Sequence, residues 1–218
     1  TKQLEVDAAN VTANYAAIEK LLVSGLLDVW SAIRKTCARK LPRVVQRLSD
    51  NEVRSLAEHL LTVGETAGAT WQKLDGVAIS LHALIKSAGN SARAAVADSK
   101  SSASKPAQTP ASLPRSLTAL ESRIRTLLLR LLADQQLTIR EYAAKAMAAL
   151  LVRSGVSALQ AGARDLAARL GASADLCPDA EAEGLLCTLE LLANTGQLSI
   201  SWLLPNWSSV ALVIVRYL

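Results

Sequence analysis

The chain repeats one helical phrase three times, and this repetition limits the folds that it can adopt. The phrases read VWSAIRKTCARKL, TWQKLDGVAISLHAL and LTIREYAAKAMAALL. In each, a branched residue (Ile33, Leu74 or Ile139) is followed by small or apolar residues at helical spacing, which lays one apolar stripe along a helix. Ile33 and Leu74 are 41 residues apart. Leu74 and Ile139 are 65 residues apart, and removing an intervening linker from this distance leaves a similar period. Such a period in a helical chain is typical of stacked helix pairs.

The residues around these branched positions carry a family resemblance. Ile139 is followed by Arg140 and then by Ala143, Ala144, Met147 and Leu150, while Ile33 is followed by Arg34 and then by Ala38 and Leu41. The second phrase departs from this pattern, because Asp75 stands where the others have an arginine. The phrases resemble the inner helix of HEAT or armadillo-type repeats. This resemblance implies an all-α fold, a right-handed α-solenoid of stacked antiparallel helix pairs, and we expect the chain to be part of a longer solenoid.

The composition agrees with closely packed helices, because 50% of the residues are hydrophobic, only 3% are aromatic and Phe is absent. A core of Leu, Ala, Val and Ile lets helices approach closely. Helical periodicity and end signals predict helices at 4–24, 27–48 with a kink at Pro42, 49–63 after a Ser49–Glu52 capping box, 71–87, 117–133, 136–153, 155–170, 179–193 and 208–215.

A segment rich in Ser, Ala, Pro and Lys divides the helical regions. We therefore predict helical repeats with a basic face at 1–88, a disordered linker or long inter-repeat loop at 89–116, and further helical repeats at 117–218. Within the linker, Thr109 precedes Pro110 and is a possible site for a proline-directed kinase. A phosphate there would add nearly two negative charges to a positive segment.

The sequence indicates no catalytic, cofactor or metal site, and we expect no enzymatic activity. Neither His59 nor His82 lies near a nucleophile motif, and no glycine-rich phosphate loop is present. The three cysteines are widely spaced and are interpreted as buried free thiols in a reducing compartment. A group of acidic residues is interpreted as the start of a helix, where carboxylates complement the helix dipole, although it could also hold a hard cation. This group is Asp175, Asp179, Glu181 and Glu183.

The basic residues form the surface feature with the clearest functional implication. Six of them lie between Asp28 and Asp50 with no intervening acid: Arg34, Lys35, Arg39, Lys40, Arg43 and Arg47. On a helical projection, all but Arg34 fall within one arc, with Ile33, Cys37, Leu41, Val44, Val45 and Leu48 on the opposite side. Such a stripe can attract an acidic protein, a phosphate backbone or anionic lipid, or can be a solvated face that keeps the protein soluble.

Two tryptophans, Trp30 and Trp71, each lie at the start of a repeat helix. Tubulin-binding TOG domains, which are a HEAT variant, place an exposed Trp at a similar turn. Packing between adjacent repeats is the other explanation for these two residues.

These observations predict a non-catalytic scaffold or adaptor that binds protein partners, including acidic ones, within a larger assembly. The alternatives are a TOG-like module that binds tubulin or the cytoskeleton and a non-catalytic subunit that holds RNA or another phosphate backbone for an enzyme partner. We expect a cytoplasmic location, with the nucleus as an alternative. No membrane span is expected, because Pro205 and polar residues interrupt the apolar C-terminal stretch.

Overall fold

The computed structural model describes residues 14–87, 112–172 and 179–198, and over these residues the protein is all-α, as predicted. Helices form most of the described chain, and no strand occurs within it. The helices are α1 (Tyr15–Leu26), α2 (Ser31–Val45), α3 (Asp50–Glu65), α4 (Trp71–Ser87), α5 (Arg115–Thr118), α6 (Glu121–Leu131), α7 (Leu137–Arg153), α8 (Val156–Ala172) and α9 (Asp179–Ala193).

Local end signals account for several helix boundaries. The Ser49 hydroxyl accepts a hydrogen bond from the backbone N–H of Glu52, and the Glu52 carboxylate accepts one from the backbone N–H of Ser49. The predicted capping box is therefore present at the start of α3. Helix α2 is shorter than predicted, since it ends at Val45, soon after Pro42. The predicted helical residues 4–13 and 208–215 lie outside the described residues.

The long helices pack as consecutive pairs. Helix α1 packs on α2, α3 on α4, α6 on α7, and α8 on α9. The second helices of these pairs also pack against one another, in the order α2, α4, α7 and α9. We call these four the inner helices. Leucine and alanine supply most of the core between them, and Leu81 and Ala144 have no exposed surface. Small side chains allow this close approach of helices.

The chain that precedes α6 belongs to the packed structure from residue 112 onward. The Leu113 backbone N–H donates to the carbonyl oxygen of Arg153 over 3.0 Å, and its side chain is buried. The short helix α5 follows at once and buries Leu117. Residues 112–116 were predicted to belong to the linker, whereas residues 89–111, including Thr109, lie outside the described residues.

Arg34, one of the six basic residues that we expected at the surface, is instead buried, with only 1% of its side chain exposed. Its guanidinium reaches across to α4, where Nη2 lies 2.6 Å and Nε 2.8 Å from Oδ2 of Asp75. Nη1 donates to the carbonyl oxygens of Asp28 and Val29, in the turn before α2. A buried charge requires such pairing. The departure of Asp75 from the repeat pattern therefore supplies the partner of Arg34.

The second half of the chain repeats this arrangement. Arg140 on α7 donates through Nη1 to the carbonyl oxygens of Asp134 and Gln135, and its Nη2 pairs with the carboxylate of Glu183 on α9. The separations along the chain are 41 residues for Arg34 and its acid and 43 for Arg140 and its acid. Asp28 and Asp134 also have the same role, since each carboxylate accepts a hydrogen bond from the backbone N–H two residues later. The helix pairs α1–α2 with α3–α4, and α6–α7 with α8–α9, therefore form two similar units.

A glycine follows the acid in both units and permits close helix contact. A side chain at Gly76 would collide with the carbonyl oxygen of Leu26, and one at Gly184 would collide with that of Leu132. Because the obstructing atoms belong to the backbone, they cannot turn aside as a flexible side chain would. Leu26 and Leu132 precede Arg34 and Arg140 by the same interval. The two units therefore share a close contact as well as an ion pair.

None of the helices in the described residues is both long and apolar enough to cross a membrane.

We predict that Asp75→Ala lowers the free energy of unfolding by about 3 to 5 kcal/mol, because it leaves the buried Arg34 guanidinium without its carboxylate. Glu183→Ala is the matched control, since Glu183 has the same place in the second unit but its side chain is 54% exposed. We expect that change to cost about 1 kcal/mol or less. Urea unfolding followed by circular dichroism measures both values, and equal losses would contradict the assignment of Arg34–Asp75 as the stronger constraint.

Candidate partner-binding groove

The basic stripe on α2 is exposed apart from Arg34. Five side chains face solvent: Lys35, Arg39, Lys40, Arg43 and Arg47. The buried line of α2 consists of Arg34, Ala38, Leu41 and Val45, which follow one another at helical spacing. Ile33 was expected on the buried side but is 41% exposed. The reason is that the ion pair draws Arg34 into the core and turns its neighbour Ile33 outward.

Two of the stripe residues line a groove between α2, α4 and α7. This first groove has a volume of about 380 Å³. Its charged walls are Lys35 and Arg39 from α2 and Lys86 from α4, and its rings are His82 and Tyr142. The remaining surface is mainly apolar and comes from Ala38, Pro42, Ile79 and Ala83. The inner helices thus form a concave surface with cations at its edges.

A second groove of about 350 Å³ continues from the first, between α4, α7 and the end of α9. His82 and Lys86 line both grooves, and the second adds Lys145 and Arg153 from α7. Apolar residues again form much of its wall, among them Val152 and Leu191. No carboxylate occurs among the described residues that line either groove. The continuous surface therefore carries positive charge from three of the inner helices, α2, α4 and α7, and reaches the end of α9.

Few of these cations are neutralised within the described chain. Lys145 lies 3.8 Å from Glu141, one turn away, and 4.9 Å from the centre of the Tyr142 ring. Lys35, Arg39 and Lys86 form no ion pair with any described carboxylate. Unpaired cations in a concave surface with apolar walls concentrate positive potential there.

Arg153 is the most enclosed of the groove cations. Its Nη2 donates to the carbonyl oxygen of Lys86 over 2.7 Å, whereas Nη1 is buried without a hydrogen-bond partner in the described structure. Burial lowers the pKa of Arg153 from its ordinary value. A guanidinium that has lost water without gaining a carboxylate is favourably placed to interact with an anion.

His82 lies where the two grooves meet, and its pKa responds to the positive charges around it. Burial lowers its pKa to about 4, and the positive charges of Lys86 and Lys145 act in the same direction. Its ring lies 6.3 Å from that of Tyr142, measured between centroids. His82 is therefore neutral near pH 7 and can accept or donate a hydrogen bond without adding charge.

The two tryptophans lie outside both grooves. Trp30 is 71% exposed at the start of α2. Trp71 is 46% exposed, and its ring lies 5.6 Å from the guanidinium carbon of Arg34. Trp71 therefore covers the buried ion pair between α2 and α4, which agrees with packing between neighbouring helix pairs, and Trp30 remains open to solvent.

The other residues noted in the sequence do not assemble into a site. Cys37 and Cys187 are free thiols, while Cys177 and Asp175 lie outside the described residues. Helix α9 begins at Asp179, so the acidic group does mark a helix start, and Glu183 binds Arg140. Within residues 14–87, 112–172 and 179–198, no three His, Cys, Asp or Glu side chains come close enough together to hold a metal ion.

Sequence reasoning missed five groove residues: His82, Lys86, Tyr142, Lys145 and Arg153. Lys145 and Arg153 lie in the third helical phrase or just after it, where the analysis followed only the apolar positions. A search for cations on the solvent side of every inner helix would have found Lys86 and Lys145. The order in which α2, α4 and α7 pack was needed to bring them together with Lys35 and Arg39.

We predict that His82 makes the protein less stable as the pH falls from about 6.5 to about 4. In this window the unfolded chain binds a proton at His82 and the folded chain does not, so protons favour unfolding. The loss is roughly 2 kcal/mol, with allowance for partial exposure. His82→Gln should remove this part of the pH dependence, whereas His59→Gln, on the exposed side of α3, should retain it. Urea unfolding across this pH range measures the difference, and identical profiles for the two variants would refute the prediction.

Comparison with protein family models, with curated proteins and with solved structures finds no match to this chain.

Proposed function

We propose that the protein is a non-catalytic scaffold or adaptor that binds a protein partner on the concave surface of its inner helices. The observation that carries this proposal is the continuous groove surface from α2 to α9, with cations from α2, α4 and α7 and no carboxylate among its described lining residues. A positive surface of this kind attracts a partner with a negative surface, which speeds their association and disfavours partners of the wrong charge.

The architecture that we propose for this function is a HEAT-like right-handed solenoid. Its support comes from four consecutive helix pairs, whose second helices pack in chain order, and from the arginine–acid pair that recurs in each half. Stacked repeats create long concave surfaces, which are suited to binding extended partners.

The residues that line the grooves are better suited to a protein partner than to a nucleic acid. Sequence-tolerant binding of single strands uses aromatic rings on which bases stack. Tyr142 and His82 are the aromatic side chains in the described lining, and Lys145 already lies over the Tyr142 ring. Apolar wall residues such as Ile79 and Leu191 instead offer contact to the side chains of a peptide. The phosphate-binding and TOG-like functions remain predictions from the sequence.

We predict that Lys35→Glu with Arg39→Glu removes the partner from the tagged protein isolated from its own cells under nuclease treatment. Opposite charge at the first groove would repel an acidic segment. The matched control is Lys40→Glu with Arg43→Glu, which makes the same charge change on exposed residues outside the groove lining. Quantitative mass spectrometry of the co-purified proteins is the measurement, with circular dichroism to verify that both variants are folded.

Equal retention of the partner by both variants would contradict the proposed surface. Complete loss of recovered material after nuclease treatment of the unmodified protein would instead favour the phosphate-backbone alternative.

A further inference from the structure

The length of the two grooves indicates how long a bound partner segment can be, and their charge indicates its chemistry. They cross four successive inner helices, and helices pack about 8 to 10 Å apart. The three intervals from α2 to α9 therefore span roughly 25 to 30 Å. An extended peptide rises about 3.3 Å per residue, so this distance corresponds to roughly eight or nine residues. An extended segment of roughly eight or nine residues would therefore be long enough to occupy both grooves.

Cations occur at both ends and in the middle of this path. Lys35 and Arg39 lie at the α2 end, Lys86 lines both grooves, and Lys145 and Arg153 lie toward α9. Glu141, which faces Lys145 at 3.8 Å, is 46% exposed and so offers only weak competition for that cation. Arg153 has a buried Nη1 without a described partner, so an anion bound at this end would supply a missing hydrogen bond.

We propose that the two grooves form one binding site for an acidic, extended segment of a partner protein, with its carboxylates paired to Lys35 and Arg39 at one end, to Lys86 in the middle and to Lys145 and Arg153 toward the other end. Apolar side chains of the same segment lie against Ile79 and Val152. This inference rests on the proposed scaffold function and adds the chemistry and the length of the bound segment.

The test uses the full chain and a fluorescein-labelled peptide of about nine glutamates, with a glutamine peptide of the same length as the uncharged control. Fluorescence anisotropy should show saturable binding of the glutamate peptide and much weaker binding of the glutamine peptide. Lys86→Glu with Lys145→Glu should weaken binding about tenfold or more. Lys40→Glu with Arg43→Glu, which makes the same charge change outside the lining, should weaken it by less than about threefold.

A second measurement on the unmodified chain does not depend on the folding of any variant. Carboxylates bound beside Lys86 and Lys145 would change the electrostatic surroundings of His82, so the glutamate peptide should shift the resonances of the His82 ring at pH 7, where the glutamates are ionised. The charged and titratable groups that line the grooves with His82 are Lys35 and Arg39 on α2, Lys86 on α4, and Tyr142, Lys145 and Arg153 on α7, and Glu141 lies beside Lys145. Nuclear magnetic resonance spectra of the His82 ring at pH 7, with and without peptide, give the change.

Several outcomes would overturn the proposal. Equal weakening by the groove and control variants would show charge attraction without a site, and unchanged His82 resonances at saturating peptide would place the peptide elsewhere. Tighter binding of single-stranded oligothymidylate than of the glutamate peptide would assign the grooves to a phosphate backbone. Absence of peptide binding, together with a nuclease-resistant partner that requires Lys35 and Arg39, would reject the acidic segment while leaving the scaffold function intact.

Discussion

The buried ion pair between Arg34 and Asp75 is the constraint on which the arrangement of the first two helix pairs depends. It joins α2 to α4, and the remaining guanidinium nitrogen holds the turn before α2 through two backbone carbonyls. With the guanidinium fixed inside the core, its neighbour Lys35 and the next-turn residue Arg39 must point away from it. The interior electrostatics of α2 therefore determine which of its cations line the groove.

Each buried charge also restricts the alternative packings of its helix. If α2 slid or turned relative to α4, Arg34 would lose its carboxylate while still buried, at a cost of several kcal/mol. Leucine and alanine contacts are less directional and tolerate such shifts more easily. The close contact of Gly76 with the carbonyl oxygen of Leu26 adds a steric limit at the same level of the fold. Polar pairing and backbone contact thus fix the register of a core that is otherwise nearly uniform in composition.

The second unit has a corresponding ion pair and a corresponding glycine contact, but its ion pair is more exposed to solvent. Glu183 is half exposed, so the Arg140 pair is in contact with solvent and constrains α7 and α9 less strongly. Between the two units, α4 packs against α7 without an ion pair between these two helices in the described structure. His82, Lys86 and Tyr142 lie at this central junction and form the shared part of the two grooves. The candidate site therefore lies where apolar packing and the hydrogen bond from Arg153 to the Lys86 carbonyl oxygen join the units, and where charged side chains remain available to a partner.

The sequence by itself determined the long helices of the described residues, their approximate ends and the exposure of the α2 stripe, because helical periodicity and capping are local properties, but it missed the short helix α5. It predicted α4 and α9 with the bounds that the structure has, and it identified the Ser49–Glu52 capping box. It did not determine that Arg34 is buried, since the carboxylate that permits burial lies 41 residues away on another helix. Lys86, Lys145 and Arg153 were assigned to the candidate site only by tertiary structure. Their proximity to Lys35 and Arg39 arises from the packing order of the inner helices, and that order is a non-local property that no single helical pattern contains.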